Sequence, residues 1–477
     1  MAEPKPLVLD VDGTFLRTDM LYESFWAGLG QDPVTVLRLT ARHFRQPAIL
    51  KEMLARAVPL RTDLLPVNRE IAEMAVAARA EGSEVILASA SYRSLVQQLA
   101  RDHDLSPRVF ASESGHNLKG KAKADALVEA FGPHGFHYAG NETVDLPVWQ
   151  QAEAAIIVGP HDAIAKTLSE QGRHVSKVPG GWNWRDLRRA LRPHQWVKNS
   201  LLLLPMIAAH DFALTTLFMV LAGIVAFSAA ASSIYIVNDL LDLEADRLHP
   251  TKCRRPFAIG KVPIRIGMIA CAALAVLALV IGAALGAAFL AVILVYMIAS
   301  LAYSLRLKRM RWVDVFTLAA LYTLRVVAGA AASGVDVSIY MLIFIFPVFL
   351  TLGCVKRMTE LALARDDEPL PGRGYGRRDR GDLLNMSGLG IAGALTIFAL
   401  YSVSDQGRSL YPTTWILWLT LIPIAGWLIR MVALGFYGKQ DYDPIVFALR
   451  DRLGIGLLLI VLSLMFWAAG LWAQWFG

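Results

Sequence analysis

A run of long apolar segments fills the second half of this chain, and it limits the fold more than any other feature. A helix needs roughly 20 apolar residues to cross the hydrocarbon layer of a bilayer. Nine stretches approach that length: 198–213, 215–237, 264–284, 286–305, 314–333, 338–355, 386–403, 412–433 and 453–475. Inside a bilayer backbone amides and carbonyls find no water, so each stretch is expected to be helical. Up to about Leu191, by contrast, charged and apolar residues mix as in a water-soluble domain. The mean hydropathy of +0.44 and the 18% of charged residues thus average two halves built for different solvents. With 477 residues the chain has room for two domains.

The connections between the apolar segments alternate in charge. Arg247, Lys252, Arg254, Arg255, Lys261 and Arg265 follow the second; Arg306, Lys308, Arg309 and Arg311 the fourth. Lys356, Arg357, Arg365, Arg373, Arg377, Arg378 and Arg380 follow the sixth, and Arg430, Lys439, Arg450 and Arg452 the eighth. The opposite loops contribute only Arg408. By the positive-inside rule the N-terminal part and the polar loops face the cytoplasm, the C-terminus lies outside, and the setting is a multi-pass protein of a bacterial-type inner (plasma) membrane. The net charge of +7 is then a topology signal, and no nucleic-acid partner is expected. The opening residues show no basic region followed by an apolar one, so no signal peptide is expected. Cys253, Cys271 and Cys354 have neither paired nor metal-ligand spacing, which points away from disulfides and zinc.

The soluble part opens with the apolar string Leu7-Val8-Leu9-Asp10-Val11-Asp12-Gly13-Thr14. Two carboxylates at alternate positions of a strand end, followed by a glycine turn, can both reach one phosphate. Asp10 then suits nucleophilic attack on phosphorus, and Asp12 suits protonation of the leaving group and activation of water. A second strand, 84–89, ends in Ser89, whose hydroxyl can hold a phosphoryl oxygen. Lys119, Lys121 and Lys123 each offer an ammonium; the spacing favours Lys123 and leaves the choice open. The string His137–Asp145 ends another strand with Asp145 placed for Mg²⁺. The stretch 19–68 reads as a helical cap, with Phe25, Trp26 and Phe44 as pocket or core residues. These four motifs resemble the haloacid dehalogenase superfamily over roughly residues 6–175. That resemblance implies a doubly wound α/β phosphatase domain using Mg²⁺ through Asp10, Asp12 and Asp145. Asn141 stands where the family usually has an acidic residue, which removes one charged metal contact.

The second apolar segment ends in Asn238-Asp239-Leu240-Leu241-Asp242-Leu243-Glu244-Ala245-Asp246. If the helix continues, Asp239, Asp242 and Asp246 share one face. Carboxylates so clustered repel one another unless a cation joins them, and Mg²⁺ with a substrate diphosphate answers that need. Basic and polar residues surround them in the sequence: Arg254-Arg255-Pro256, Tyr303 and Lys308 at the fourth helix end, Arg325 inside the fifth, and Lys356, Arg357 and Glu360 at the end of the sixth.

These motifs resemble the UbiA superfamily over roughly residues 188–477, whose members ionise a Mg²⁺-bound diphosphate substrate. Aromatic prenyltransferases of that family carry a second Asp-rich motif after helix six. Here the region reads Lys356-Arg357-Met358-Thr359-Glu360-Leu361, with Asp366 and Asp367 further along and no DxxxD spacing. Arg192–Asn199, Asp246–Lys252 and Lys356–Leu361 resemble the branch that makes polyprenyl-phosphoryl phosphoribose. This implies phosphoribosyl pyrophosphate as donor and a polyprenyl phosphate as acceptor. Asp239, Asp242 and Asp246 would hold Mg²⁺ and pyrophosphate; Lys198, Asn238, Arg255, Tyr303, Lys308, Arg325, Lys356 and Arg357 would meet substrate, with Glu360 a further metal ligand.

The fold class expected is thus an α/β head over 1–185 followed by an all-α polytopic domain over 186–477, with room for a homo-oligomer. The head would remove the 5-phosphate that the transfer product retains. Three alternatives stand beside this reading: a prenyltransferase for an aromatic or quinone precursor with a separate phosphatase head, a degenerate head that only binds and regulates, and a cation-coupled transporter. The join Pro179–Trp184, which carries Trp182 and Trp184, leads into an amphipathic stretch, Arg185–Leu191, and the Arg and Trp residues of this region suit a headgroup layer.

Overall fold

The structure, a computed structural model, describes residues 4–113, 115–336, 338–364, 373–440 and 443–476. It divides into two compact bodies: Met1–Leu191 with Tyr235–Cys271, and Arg192–Ile234 with Ala272–Gly477.

In the first body strands and helices alternate along the chain: β1 (Leu7–Asp10), α1 (Met20–Gln31), α2 (Pro33–His43), α3 (Pro47–Ala57), α4 (Arg69–Ala80), β2 (Val85–Tyr92), α5 (Arg93–Asp102), β3 (Val109–Ser112), α6 (Lys121–Phe131), β4 (His137–Gly140), α7 (Leu146–Gln151), β5 (Ala154–Val158), α8 (Asp162–Glu170) and β6 (His174–Val178). The six strands are parallel, in the order β3-β2-β1-β4-β5-β6. Side chains alternate across the sheet into two cores. Leu7, Leu9, Val85, Leu87, Ile156 and Val158 face one; Val8, Ile86, Ala88, Tyr138, Ala155 and Ile157 face the other. Burial on both faces is why these strands read as unbroken apolar runs in the sequence. The strand order reverses between β1 and β4, and their carboxyl ends open a crevice there. The expected α/β head is observed, and α1–α3 form the helical insertion between β1 and β2.

The second body is helical. Among the described residues seven helices are long and apolar enough to cross a membrane: Leu214–Leu241, Ile264–Leu285, Ala287–Leu305, Val313–Ser333, Ile339–Leu363, Arg377–Val403 and Thr414–Phe436. The chain is a multi-pass membrane protein. Two of the nine expected spans are broken instead. The first, 198–213, is a 3₁₀ helix over Pro193–Leu203 and a short helix Leu204–Ala208, followed by His210 at φ +57°. Pro205 at the helix start removes an amide that a longer helix would need. The last, 453–475, is a helix of 17 residues, Arg452–Ala468, then Gly470 at φ +75° and a separate turn Leu471–Phe476. The left-handed glycine ends the first piece as a helix C-terminus requires.

Candidate functional site

The head's site forms where β1, β2, β4 and α6 meet. Gly13, at φ +79°, turns the chain so sharply that a Cβ there would stand 2.2 Å from the Asn141 side-chain nitrogen. Asp10 is buried; its Oδ1 receives the Lys123 ammonium at 2.6 Å and its Oδ2 the Thr14 hydroxyl at 3.3 Å. Lys123 also donates to the Tyr138 hydroxyl at 3.0 Å, which donates in turn to Asp145 at 3.0 Å. Lys123 and Asp145 lie 3.6 Å apart. Burial pushes the Asp10 carboxyl up to about 7, with Lys123 opposing and the Asp145 charge adding to the rise. Asp12 accepts from the backbone of Met20 at 2.8 Å and from the hydroxyls of Ser91 at 2.8 Å and Ser89 at 3.3 Å. Asn141 turns its oxygen to the Thr14 hydroxyl at 3.1 Å.

The three lysines separate here. Lys119 pairs with Glu142 at the surface, whereas Lys123 is 3% exposed and sits between two carboxylates. Lys123→Ala is therefore expected to lower any phosphate-ester hydrolysis by the head by roughly a hundredfold or more, and Lys119→Ala to leave it within about twofold. Comparing the two turnover rates on one soluble ester checks this.

At the end of the helix Leu214–Leu241 the Asp-rich string leaves regular geometry. Asp242 (φ −100°, ψ 14°) interrupts the helix, and a short helix Leu243–Leu248 follows. Two helical bonds still bridge the break, Asp242 N to Asn238 O at 3.0 Å and Asp246 N to Asp242 O at 2.7 Å. Asp239 and Asp246 therefore remain close. Both are buried, and one Arg255 nitrogen donates to Asp239 at 3.1 Å and to Asp246 at 2.6 Å. Burial raises the Asp246 carboxyl above its usual range, with Arg255 opposing. Asn238 Oδ1 is buried without a hydrogen-bond partner among the described residues.

Among the described residues no group of three or more His, Cys, Asp or Glu side chains is gathered so as to hold a metal ion by itself. Carboxylates instead converge in pairs on one cation, Asp10 and Asp145 on Lys123, Asp239 and Asp246 on Arg255. Paired hard oxygens beside an unpartnered amide oxygen suit Mg²⁺, which takes one or two carboxylates and completes its shell with water and substrate phosphate.

In the second body a buried network surrounds Arg357. Its guanidinium bonds both oxygens of Asp314, Glu360 and the Tyr303 hydroxyl, the last at 2.8 Å. Tyr303 donates to Asp314 at 2.8 Å, and Arg373 reaches Tyr303 at 3.0 Å. Lys198 forms a buried ion pair with Asp443, whose carboxyl is disfavoured as an anion by burial but held below its usual range by Lys198 and Lys356. The Lys356 charge thus bears on Asp443, while its neighbour Arg357 is committed to Asp314 and Glu360. Arg325 is buried in an aromatic cage of Phe227, Tyr296 and Tyr322; it donates to Asn199 at 3.1 Å, to the Tyr296 hydroxyl at 3.2 Å and to the Leu321 carbonyl at 2.7 Å. Lys308 is half-buried in the 3₁₀ turn Leu307–Arg309. Arg365, Asp366 and Asp367 lie outside the described residues.

Sequence reading passed over Asp314, Asp443, Ser91 and Tyr138. Asp314 opens an apolar segment and was legible only as a helix boundary, although an acid fully buried there signals an internal cation.

Comparison with known proteins agrees with this architecture. The model of the UbiA prenyltransferase family matches residues 200–368. Nodulation protein NoeC of Azorhizobium caulinodans is 32% identical over 286 residues, 58% of this chain and 91% of that protein. The chain belongs to the UbiA prenyltransferase family. The first body adds to this a parallel α/β sheet at whose strand ends Asp10, Asp12, Ser89 and Lys123 converge. An uncharacterized protein of Sinorhizobium fredii, y4nM, is 34% identical over 460 residues, 94% of this chain and 88% of its own length. The decaprenyl-phosphate phosphoribosyltransferase of Corynebacterium glutamicum is 40% identical over 182 residues, covering 37% of this UbiA-family chain and 54% of that enzyme.

Proposed function

We propose that this chain is a bifunctional enzyme of the inner membrane, with its head on the cytoplasmic side. Its membrane domain moves 5-phosphoribose from phosphoribosyl pyrophosphate to a polyprenyl phosphate, and its head then removes the 5-phosphate to give polyprenyl-phosphoryl ribose. The observation that carries this reading is the 40% identity with a decaprenyl-phosphate phosphoribosyltransferase. Buried cations suited to phosphates support it: Lys198, Lys356 and Arg357 are all largely enclosed in the second body. A small apolar acceptor would leave that charge without purpose.

In the transfer step the bond between ribose C1 and pyrophosphate breaks, the electron pair leaves with pyrophosphate, and an oxygen of the lipid phosphate bonds to C1. No protein nucleophile is needed; Arg255, Lys356 and Lys198 orient and neutralise anionic groups. In the head Asp10 attacks the 5-phosphate and Asp12 protonates the departing ribose oxygen. Asp12 then takes a proton from water, which cleaves the aspartyl phosphate and restores Asp10. Ser89 and Lys123 hold the phosphoryl oxygens. Mg²⁺ supplies further neutralisation of bound phosphate charge, and the residues that would hold it are Asp10, Asp12 and Asp145 in the head, Asp239, Asp242 and Asp246 at the membrane helix end, and Glu360 on the helix Ile339–Leu363.

The test is mass spectrometry of the lipid after mixing purified protein, Mg²⁺, phosphoribosyl pyrophosphate and a polyprenyl phosphate. Ribosyl lipid is expected, and chelating the metal is expected to stop its formation. Absence of ribose from the lipid in every condition would overturn the donor assignment and turn attention to prenyl diphosphates with aromatic acceptors.

A further inference from the structure

The cap carries an apolar stripe for which neither reaction has a use. In α2 Val34 and Leu37 are 64% and 54% exposed, and Phe44, just past the helix end, is 63% exposed. With Ala41, also exposed, they recur at helical spacing on one face. Arg38, Arg42 and Arg45 border this face and are exposed, and Arg45 lies over the Phe44 ring at 5.2 Å. No acidic residue occurs between Pro33 and Gln46. The stripe is not a misplaced core face, because α2 has another: Val36 is buried with Leu50, Leu54 and Val58.

The position of α2 within the first body suggests what covers the stripe. The preceding helix, α1, is fastened to the segment that follows the membrane helix Leu214–Leu241. Arg247 donates to both oxygens of the buried Glu23, at 3.1 and 2.6 Å. Near the end of α1, Gly30 lies within ordinary contact range of the last residue of that membrane helix: a Cβ there would stand 3.6 Å from the carbonyl oxygen of Leu241. Pro33, three residues on, opens α2, and three residues reach at most about 10 Å. The stripe thus begins beside the end of a membrane-spanning helix, where hydrocarbon gives way to headgroups.

We propose that α2 is an interfacial helix that docks on an anionic lipid surface. Val34, Leu37 and Phe44 enter the acyl boundary, and Arg38, Arg42 and Arg45 meet headgroup phosphates. A bilayer fits this face better than a second copy of the chain, because an isologous contact would bring two sets of three arginines together. Docking also gives the cap a purpose, on the reading that the head acts on a lipid-borne ester. Lys51 of α3 donates to the Ala90 carbonyl at 2.9 Å, next to Ser89, so a cap held on the membrane also holds the mouth of the phosphatase site near it.

The test uses the full chain in nanodiscs of phosphatidylcholine and phosphatidylglycerol, with Cys253, Cys271 and Cys354 replaced and one cysteine introduced by Leu37→Cys. A polarity-sensitive fluorophore on that cysteine is exposed to lipids carrying a shallow nitroxide, and Val76→Cys on α4, 66% exposed in the native chain, serves as the control. Quenching is expected to be roughly threefold or more stronger at position 37 than at 76, and to weaken when Arg38, Arg42 and Arg45 are changed to glutamate. Equal quenching at the two positions would overturn the proposal. So would a signal at position 37 that depends on having two protein copies per disc instead of on the nitroxide lipid. Neither readout requires turnover, so the docking and the two-step chemistry stand or fall separately. A further comparison joins them: Val34→Ser with Leu37→Ser is expected to leave hydrolysis of a soluble ester unchanged and to slow hydrolysis of the lipid-borne ester in bilayers roughly tenfold. Equal rates on the bilayer substrate would overturn docking as a functional contact.

Discussion

Asp10→Asn is expected to lower phosphate-ester hydrolysis by the head by roughly four orders of magnitude or more, while leaving transfer to the lipid at its original rate. The substitution keeps the size of the side chain and can still accept from the Thr14 hydroxyl, now 3.3 Å from Asp10. It removes the one oxygen nucleophile at the end of β1. It also deprives Lys123 of its nearer anion, at 2.6 Å, leaving Asp145 at 3.6 Å as the remaining carboxylate. Since Asp145 and Tyr138 still hold Lys123, the fold should survive and the loss should lie in turnover rather than in binding. Two measurements check this on one preparation: release of inorganic phosphate from a soluble ester, and the mass of the lipid product. The two-step reading requires the first to vanish and the second to stop at phosphoribosyl lipid. Hydrolysis that persists in Asp10→Asn would remove Asp10 from the role of nucleophile. Loss of lipid transfer as well would mean that the two activities are not separable along the chain.

How far the sequence reveals this molecule differs between its two halves, for physical reasons. The head was legible because a parallel sheet buried on both faces writes its strands as apolar runs, and because its candidate site residues sit at strand ends, where the turn chemistry marks them. Asp10, Asp12, Ser89, Asp145 and the preferred Lys123 are brought together around one crevice. The network of the membrane domain was harder to foresee. Arg357 was legible as a cation at a helix end and was assigned to substrate, yet the structure gives most of its donors to Asp314, Glu360 and Tyr303. Asp314 lies 43 residues away and Asp443 lies 245 residues from Lys198; such pairings follow from helix packing, which one sequence does not specify. Arg325 illustrates the same limit. Inside an apolar segment it accepts the company of an amide, a carbonyl, a tyrosine hydroxyl and three aromatic rings, none of which its position in the sequence announces. The count of about nine spans is approximate: seven described helices have the length to cross, and local backbone rules shorten the other two, at Pro205 and Gly470.

The buried pair Asp314–Arg357 carries the second large expected effect. Both side chains are fully enclosed, at 0% exposure, and Asp314 also accepts from Tyr303 and Arg373. Asp314→Ala would leave a guanidinium buried with Glu360 as its remaining carboxylate among the described residues, and removing one partner of such a pair costs about 3–5 kcal/mol. That is a large part of a typical folding free energy, so the variant should lose folded yield and unfold at markedly lower temperature in detergent. Replacing both residues with apolar ones, Asp314→Leu with Arg357→Met, removes the uncompensated charge and should restore most of the stability. It should not restore transfer, because Arg357 also fixes Glu360, and Lys356 beside it stands among the charges proposed to meet phosphate. Thermal unfolding and lipid transfer measured on wild type, single and double variants separate these contributions. A single variant as stable as wild type would mean that the ion pair contributes nothing to the fold. A double variant that transfers ribose at the wild-type rate would confine Arg357 to architecture and leave the other cations of the second body, Lys198 and Lys356 among them, to meet phosphate.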